Sequence, residues 1–140
     1  PPAMRQSDGA APERETPSTD GPEITAGKGR ANRPDPAGQE LAVDDGSAII
    51  GGNARDTLVG GEGEDHLFGR GGRDLLLGGA GNDVLQGDNG RDTLIGEGGM
   101  DRLDGGRGDD MLIGGTMADE LKGGDGDDTL DEGAGHGMIE

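Results

Sequence analysis

The apolar positions of this chain fall on a nine-residue beat. Leu recurs at Leu58, Leu67, Leu76, Leu85, Leu94, Leu103, Leu112, Leu121 and Leu130, and Asp stands two places before each of them. From Gly51 to Asp131 the sequence is nine in-phase units: GGNARDTLV, GGEGEDHLF, GRGGRDLLL, GGAGNDVLQ, GDNGRDTLI, GEGGMDRLD, GGRGDDMLI, GGTMADELK and GGDGDDTLD. Self-similarity at a fixed period signals a repeat architecture before any single element is assigned. Leu at position 8, often flanked by Thr, Val or Ile, predicts a three-residue strand over positions 7–9 with Leu pointing inward. Positions 1–6 are rich in Gly and Asp and read as turns, where Gly permits a positive φ and a close backbone approach. Two units then make one coil, and units i and i+2 stack as parallel neighbours ~4.8 Å apart. The expected fold is all-β: a parallel β-roll of two short sheets enclosing a ladder of leucines.

The beat fades at both ends. In residues 42–50, Ile49 takes the Leu position while Ser47 replaces Asp; in residues 132–140, Gly133, Gly135 and Ile139 are in phase while Gly137 replaces Asp. Both segments read as worn capping repeats, the pattern expected where a solenoid stops. Residues 1–41 hold all seven prolines and no apolar periodicity, which predicts a disordered arm or linker. The opening Pro1 suggests a processed form or a piece of a longer chain.

Composition alone points elsewhere. With 28% hydrophobic residues, one aromatic (Phe68), 33 Gly and a net charge of −18, the chain resembles a disordered acidic polymer. The strict phase of Asp and Leu excludes that for residues 51–131, since disorder imposes no register. Residues 1–40 carry five bases and seven acids, so −16 of the −18 lies in residues 41–140, with 23 acids against seven bases. The charge sits where the repeats are, which argues against nucleic-acid partners. Cys is absent, which leaves no disulfide or thiolate site, and no stretch reaches the ~20 apolar residues of a membrane helix.

Stacking places the position-6 carboxylates in two columns. Asp56, Asp74, Asp92, Asp110 and Asp128 form one; Asp65, Asp83, Asp101 and Asp119 form the other. Like charges one strand spacing apart repel, and burial of nine leucines is too small to offset that and the ordering of so Gly-rich a chain. A hard divalent cation meets the need. Ca²⁺ accepts six to eight carboxylate and carbonyl oxygens in tolerant geometry, whereas Mg²⁺ demands a strict octahedron, and Zn²⁺ or copper would want more than two His and no Cys. The carbonyls would come from the turns around Gly60, Gly61, Gly63, Gly69, Gly71, Gly78, Gly79, Gly81, Gly87, Asn89, Gly96, Gly98, Gly105, Gly106, Gly108, Gly114, Gly123, Gly124 and Gly126. Five Asp leave four gaps and four leave three, giving roughly seven Ca²⁺ sites, whose positive charge nearly balances that of the repeats.

The unit G-G-x-G-x-D-x-Leu-x, matched almost letter for letter by Gly60–Phe68 and Gly78–Gln86, resembles the repeat of RTX, or haemolysin-type, calcium-binding proteins. The resemblance spans 81 residues outright and about 99 with the worn ends. It implies a right-handed β-roll with Ca²⁺ between successive turns, export through a type I secretion machinery, and folding outside the cell. Departures from the repeat fall at position 4 (Ala54, Met117) and position 2 (Arg70, Asp88, Glu97).

No HExxH, nucleophile elbow, P-loop, dinucleotide fingerprint or EF-hand loop occurs. His66 and His136 read as surface residues, and the pairs Asp109–Asp110 and Asp127–Asp128 need no catalytic explanation, because the period already accounts for Asp110 and Asp128. The chain is expected not to be an enzyme. Two further readings stand beside the calcium-driven folding module. One is an extracellular interaction or adhesion surface, and the other is the carboxyl-terminal repeat part of a longer secreted protease, lipase or haemolysin. Finally, odd units place Val59, Leu77, Ile95 and Ile113 at position 9, with Leu75 and Met111 at position 7, where even units place polar or charged residues except at Phe68 and Val84. That apolar face is expected to dock another copy, an upstream domain or the folded-back arm.

Overall fold

The structure, a computed structural model, describes residues 23–25, 40–42 and 48–140. The disordered arm expected over residues 1–41 lies outside these, apart from the strands β1 (Glu23–Thr25) and β2 (Glu40–Ala42). There follow β3 (Ala48–Ile50), β4 (Thr57–Glu62), β5 (His66–Phe68), β6 (Gly71–Gly72), β7 (Leu75–Ala80), β8 (Val84–Gly90) and β9 (Thr93–Gly98). The last five are β10 (Arg102–Arg107), β11 (Met111–Thr116), β12 (Glu120–Asp125), β13 (Thr129–Gly133) and β14 (Met138–Ile139). Among the described residues no helix is long and apolar enough to cross a membrane.

Strands alternate between two sheets, as the two-unit coil requires. One runs β1-β3-β5-β8-β10-β12-β14, with β6 also on β8; the other runs β13-β11-β9-β7-β4-β2. Apart from the β1–β3 pair, neighbours are parallel, and between β4 and β13 they lie 18 residues apart, as in Leu76↔Leu94 and Leu94↔Leu112. The product is a parallel β-solenoid of about five turns.

Its core is one residue wide on each side. Ile49, Leu67, Leu85, Leu103 and Leu121 from one sheet meet Leu58, Leu76, Leu94 and Leu112 from the other, all fully buried, with Leu130 packed against them at the end. Ile49 holds the Leu position of its worn unit, opposite Leu67, and Ile139 does the same opposite Leu121.

One expectation needs correction. The full strands run six or seven residues rather than three, because positions 1–3 of the following unit continue the ladder, as in Gly61↔Gly79 and Glu62↔Ala80. Glycine is a poor strand former alone, but stacked turns supply partners for its N–H and C=O groups regardless of side chain. The turn proper is therefore only positions 4–6. The repeat frame also slips upstream: Leu41 stands opposite Leu58, seventeen residues on rather than eighteen, and β1 closes the other sheet in antiparallel fashion through Ile24↔Ile49.

The outer faces differ as the sequence implied. On one sheet Arg102 reaches Glu120 at 3.0 Å and Lys122 reaches Asp104 at 4.0 Å, one rung apart in each case. On the other, Val59, Leu77, Ile95 and Ile113 align in a row. They are half-buried against one another rather than fully open to water.

Candidate metal centre

Each edge of the solenoid is a stack of turns that ends in the position-6 Asp. Asp56, Asp65, Asp74, Asp83, Asp92, Asp101, Asp110 and Asp119 are at most 3% exposed, and Asp128, in the last full unit, is half-buried. So deep a carboxylate is held by its neighbours along the column. The Oδ1 atom of each Asp from Asp74 onward accepts the backbone N–H of the Asp one turn earlier. The seven such bonds measure 2.7–2.9 Å, from Asp56 N–H to Asp74 down to Asp110 N–H to Asp128. The columns drawn from the sequence thus exist as hydrogen-bonded ladders.

The other oxygen is different. Oδ2 of Asp74, Asp83, Asp92, Asp101, Asp110 and Asp119 is buried with no hydrogen-bond partner. It lies over the position-1 glycine of its own unit. A β-carbon on Gly69 would sit 2.7 Å from Asp74 Oδ2, and one on Gly78 or Gly87 would sit 2.6 Å from Oδ2 of Asp83 or Asp92. Position 1 is therefore Gly in every unit because the carboxylate occupies the space of a side chain. The sequence did not disclose this; those glycines read as turn residues.

Burial acts directly on the acids. Desolvation pushes Asp74 up to about 7, against a lowering by the hydrogen bond from Asp56 and further raising by the charges of Asp92 and Asp56. Asp92 and Asp101 are pushed up to about 6, also chiefly by burial. Asp83, Asp110 and Asp119 are raised for the same reason. Burial leaves each ionised carboxylate short of solvation, which a bound cation would supply.

Carbonyl oxygens stand beside the carboxylates. The carbonyls of positions 2 and 4 point along the column toward the next turn: a β-carbon on Gly79 would overlap Gly61 O, and one on Gly81 would overlap Gly63 O. On Gly90 it would overlap Gly72 O and lie 3.2 Å from Asp92 Oδ1, so carbonyl and carboxylate converge there. Both positions take positive φ, as at Gly79 (108°) and Gly81 (128°). Arg70, Asp88, Glu97 and Met117 are forced into the same region at 74–80°, costing roughly 1–2 kcal/mol each. Ala54 escapes it, so the first turn is shaped differently from the rest.

Of the expected backbone donors, Gly63, Gly81, Gly108 and Gly126 lie in the tight turn. Gly60, Gly61, Gly78, Gly79, Gly87, Asn89, Gly96, Gly98, Gly105, Gly106, Gly114, Gly123 and Gly124 lie in the strand that leads into it. Gly71 begins β6, and Gly69 precedes it. Among the described residues no three His, Cys, Asp or Glu side chains gather as a metal cluster. An ion at an edge would thus draw on two carboxylates from adjacent turns plus carbonyls. That all-oxygen set, with orphaned carboxylate oxygens already in it, fits Ca²⁺. At the far end the pattern inverts: Gly137 N–H donates to Glu132 Oε2 at 2.7 Å, a carboxylate supplied from position 1.

These features define a class, the calcium-binding parallel β-roll. A family profile described as "RTX calcium-binding nonapeptide repeat (4 copies)" matches residues 50–85, 77–112 and 108–139. Together the matches run from 50 to 139, and the chain belongs to that family. RTX repeats bind calcium, and they are typical of secreted proteins. Comparison with curated proteins and with solved structures gave no match.

Proposed function

We propose that the chain is a calcium-driven folding module of a secreted protein, exported unfolded through a type I machinery and ordered by Ca²⁺ outside the cell, with no catalysis of its own. Its sites are the gaps between successive Asp of one column: four along Asp56–Asp74–Asp92–Asp110–Asp128 and three along Asp65–Asp83–Asp101–Asp119, seven in all. Each ion takes a carboxylate from the turn on either side and carbonyls from positions 2 and 4. The observation that carries this reading is the row of buried, unpartnered Oδ2 atoms on Asp74, Asp83, Asp92, Asp101, Asp110 and Asp119. A buried ionised group left unpaired costs several kcal/mol, so the ion-free fold is penalised at every rung and the bound ion removes the penalty. Binding free energy then becomes folding free energy.

Circular dichroism during a calcium titration is the test. The repeats gain β-structure cooperatively as calcium rises and lose it on chelation, while Mg²⁺ at equal concentration does little. A fully formed β-signal in excess chelator at neutral pH and low ionic strength would contradict the reading.

A further inference from the structure

The seven bases among residues 48–140 are unevenly placed. Arg102 and Lys122 are on a sheet face, each paired with an acid one rung away. The edge formed by residues 62–65, 80–83, 97–101 and 116–119 carries no Lys or Arg. The other five belong to the opposite edge: Arg70 and Arg107 in segments that lead into it, and Arg55, Arg73 and Arg91 at position 5 of three successive turns. All three are exposed, and none makes an ion pair with a described residue. One rung is ~4.8 Å, so the three arginines leave the backbone in single file at that spacing.

Three cations in successive turns repel one another, and the first acid in their file is Asp109, one rung beyond Arg91. Asp56, Asp74 and Asp92 each follow one of the arginines in sequence and are buried. Once a divalent ion neutralises those carboxylates, the edge becomes net positive. The row is straight only when the turns are stacked. Calcium, on the reading above, therefore creates both the alignment and the charge.

We propose that Arg55, Arg73 and Arg91 form a calcium-dependent docking edge for a linear acidic polysaccharide with one anionic group per sugar. Guanidinium forks bind carboxylate or sulfate through paired N–H donors, and a single file suits a chain that presents its charges one at a time. Nucleic acid fits less well. Single strands need aromatic platforms, and the sole aromatic, Phe68, is on a sheet face away from this edge. A duplex would bring phosphates over Asp88, Asp109 and Asp127.

The proposal rests on calcium-driven folding, so the test reads fold and binding separately. Wild type, the triple variant Arg55→Gln/Arg73→Gln/Arg91→Gln and the control Arg102→Gln are titrated with polygalacturonate, a dextran sulfate of about one sulfate per glucose, and duplex DNA. Each titration is run in saturating calcium and in chelator, with circular dichroism on every sample. Wild type and control should bind the polysaccharides in calcium, more weakly with added salt, and about tenfold tighter than the triple variant. At matched charge per sugar, preference between the dextran sulfate and polygalacturonate separates sulfate from carboxylate as the anion. Equal binding by a folded triple variant, no binding by wild type in any condition, or tighter binding to DNA than to either polysaccharide would overturn the proposal. If the repeats are folded in chelator, calcium-driven folding fails instead, and binding there by wild type but not by the triple variant still supports the row.

Discussion

The backbone N–H of Asp74 donates to Oδ1 of Asp92, 2.7 Å away and one full turn along the chain. Asp92 in turn sends its own N–H to Asp110, so each inner carboxylate is joined to the turns before and after it. Asp128 ends its column and is joined only to Asp110. Replacing Asp92 by Ala should strand a buried N–H, costing about 1–3 kcal/mol, and should disable two gaps. Asp128→Ala should disable one. Isothermal titration should show the larger drop in calcium stoichiometry for Asp92→Ala, and thermal melts in calcium the larger fall. Asp92→Asn keeps the Oδ1 acceptor and removes the charge. It should therefore be less damaging than Ala in chelator and just as deficient in calcium uptake.

The raised carboxyls give the protein a pH dependence of unusual sign. Asp74 titrates near 7 in the fold against an ordinary 3.8, so the folded chain holds more protons than the unfolded chain between those values. Asp92 and Asp101, near 6, act in the same direction. The stability they contribute is present below about pH 4 and is lost as pH rises through 6 to 7. Calcium-stripped protein should consequently gain β-signal on acidification, the reverse of ordinary acid unfolding. Calcium must displace those protons, so the calcium midpoint at pH 5.5 should exceed that at pH 7.5 by on the order of tenfold or more. A pH-independent midpoint would count against the raised values.

Two glycines separate packing from backbone freedom. A β-carbon on Gly78 would sit 2.6 Å from Asp83 Oδ2 and 2.9 Å from Gly96 O, whereas one on Gly98 meets nothing nearer than 3.7 Å. Neither glycine has a positive φ. Gly78→Ala should cost about 1–3 kcal/mol through overpacking. Gly98→Ala should be neutral or stabilising by up to roughly 1 kcal/mol, through the unfolded chain. Chemical denaturation in saturating calcium distinguishes the two, and equal effects would mean that position 1 is not governed by the carboxylate.

How far the chain could be read before its structure depended on what obeyed the period. Leu58 to Leu130, the two Asp columns and the role of Ile49 follow from phase alone, because a solenoid must repeat what its sequence repeats. The strand status of Gly60–Glu62 did not, since propensity assigns glycine to turns while the ladder depends on stacked neighbours. The 17-residue step from Leu41 to Leu58 and the antiparallel pairing of Ile24 with Ile49 lie outside the repeat, where there was no phase to read. Glu132 capping Gly137 was likewise invisible, because the expected signal was an Asp at 137. The second carboxylate oxygens were legible as charge but not as direction, and it is their aim at the position-1 glycines that explains why those glycines recur.

The arginine row bears on calcium as well as on any polymer. Arg55, Arg73 and Arg91 each adjoin an Asp of the first column, whereas the second column is adjoined at the same position by Glu64, Asn82, Met100 and Ala118. In the first column the gap between Asp110 and Asp128 is flanked instead by Asp109 and Asp127, with Asp127 N–H donating to Asp109 Oδ1 at 3.0 Å. A fixed positive charge beside a site for a divalent cation weakens binding there, and a negative one strengthens it. The gaps among Asp56, Asp74 and Asp92 should therefore fill last, and a calcium isotherm should contain a weaker class of sites. Arg73→Gln should tighten that weaker class roughly fivefold at low ionic strength, with the gain fading as salt is added. Arg102→Gln, on the sheet face, should leave the isotherm as it is. A single class of sites, unmoved by Arg73→Gln, would mean that the exposed guanidiniums are too well screened to reach the column beneath them.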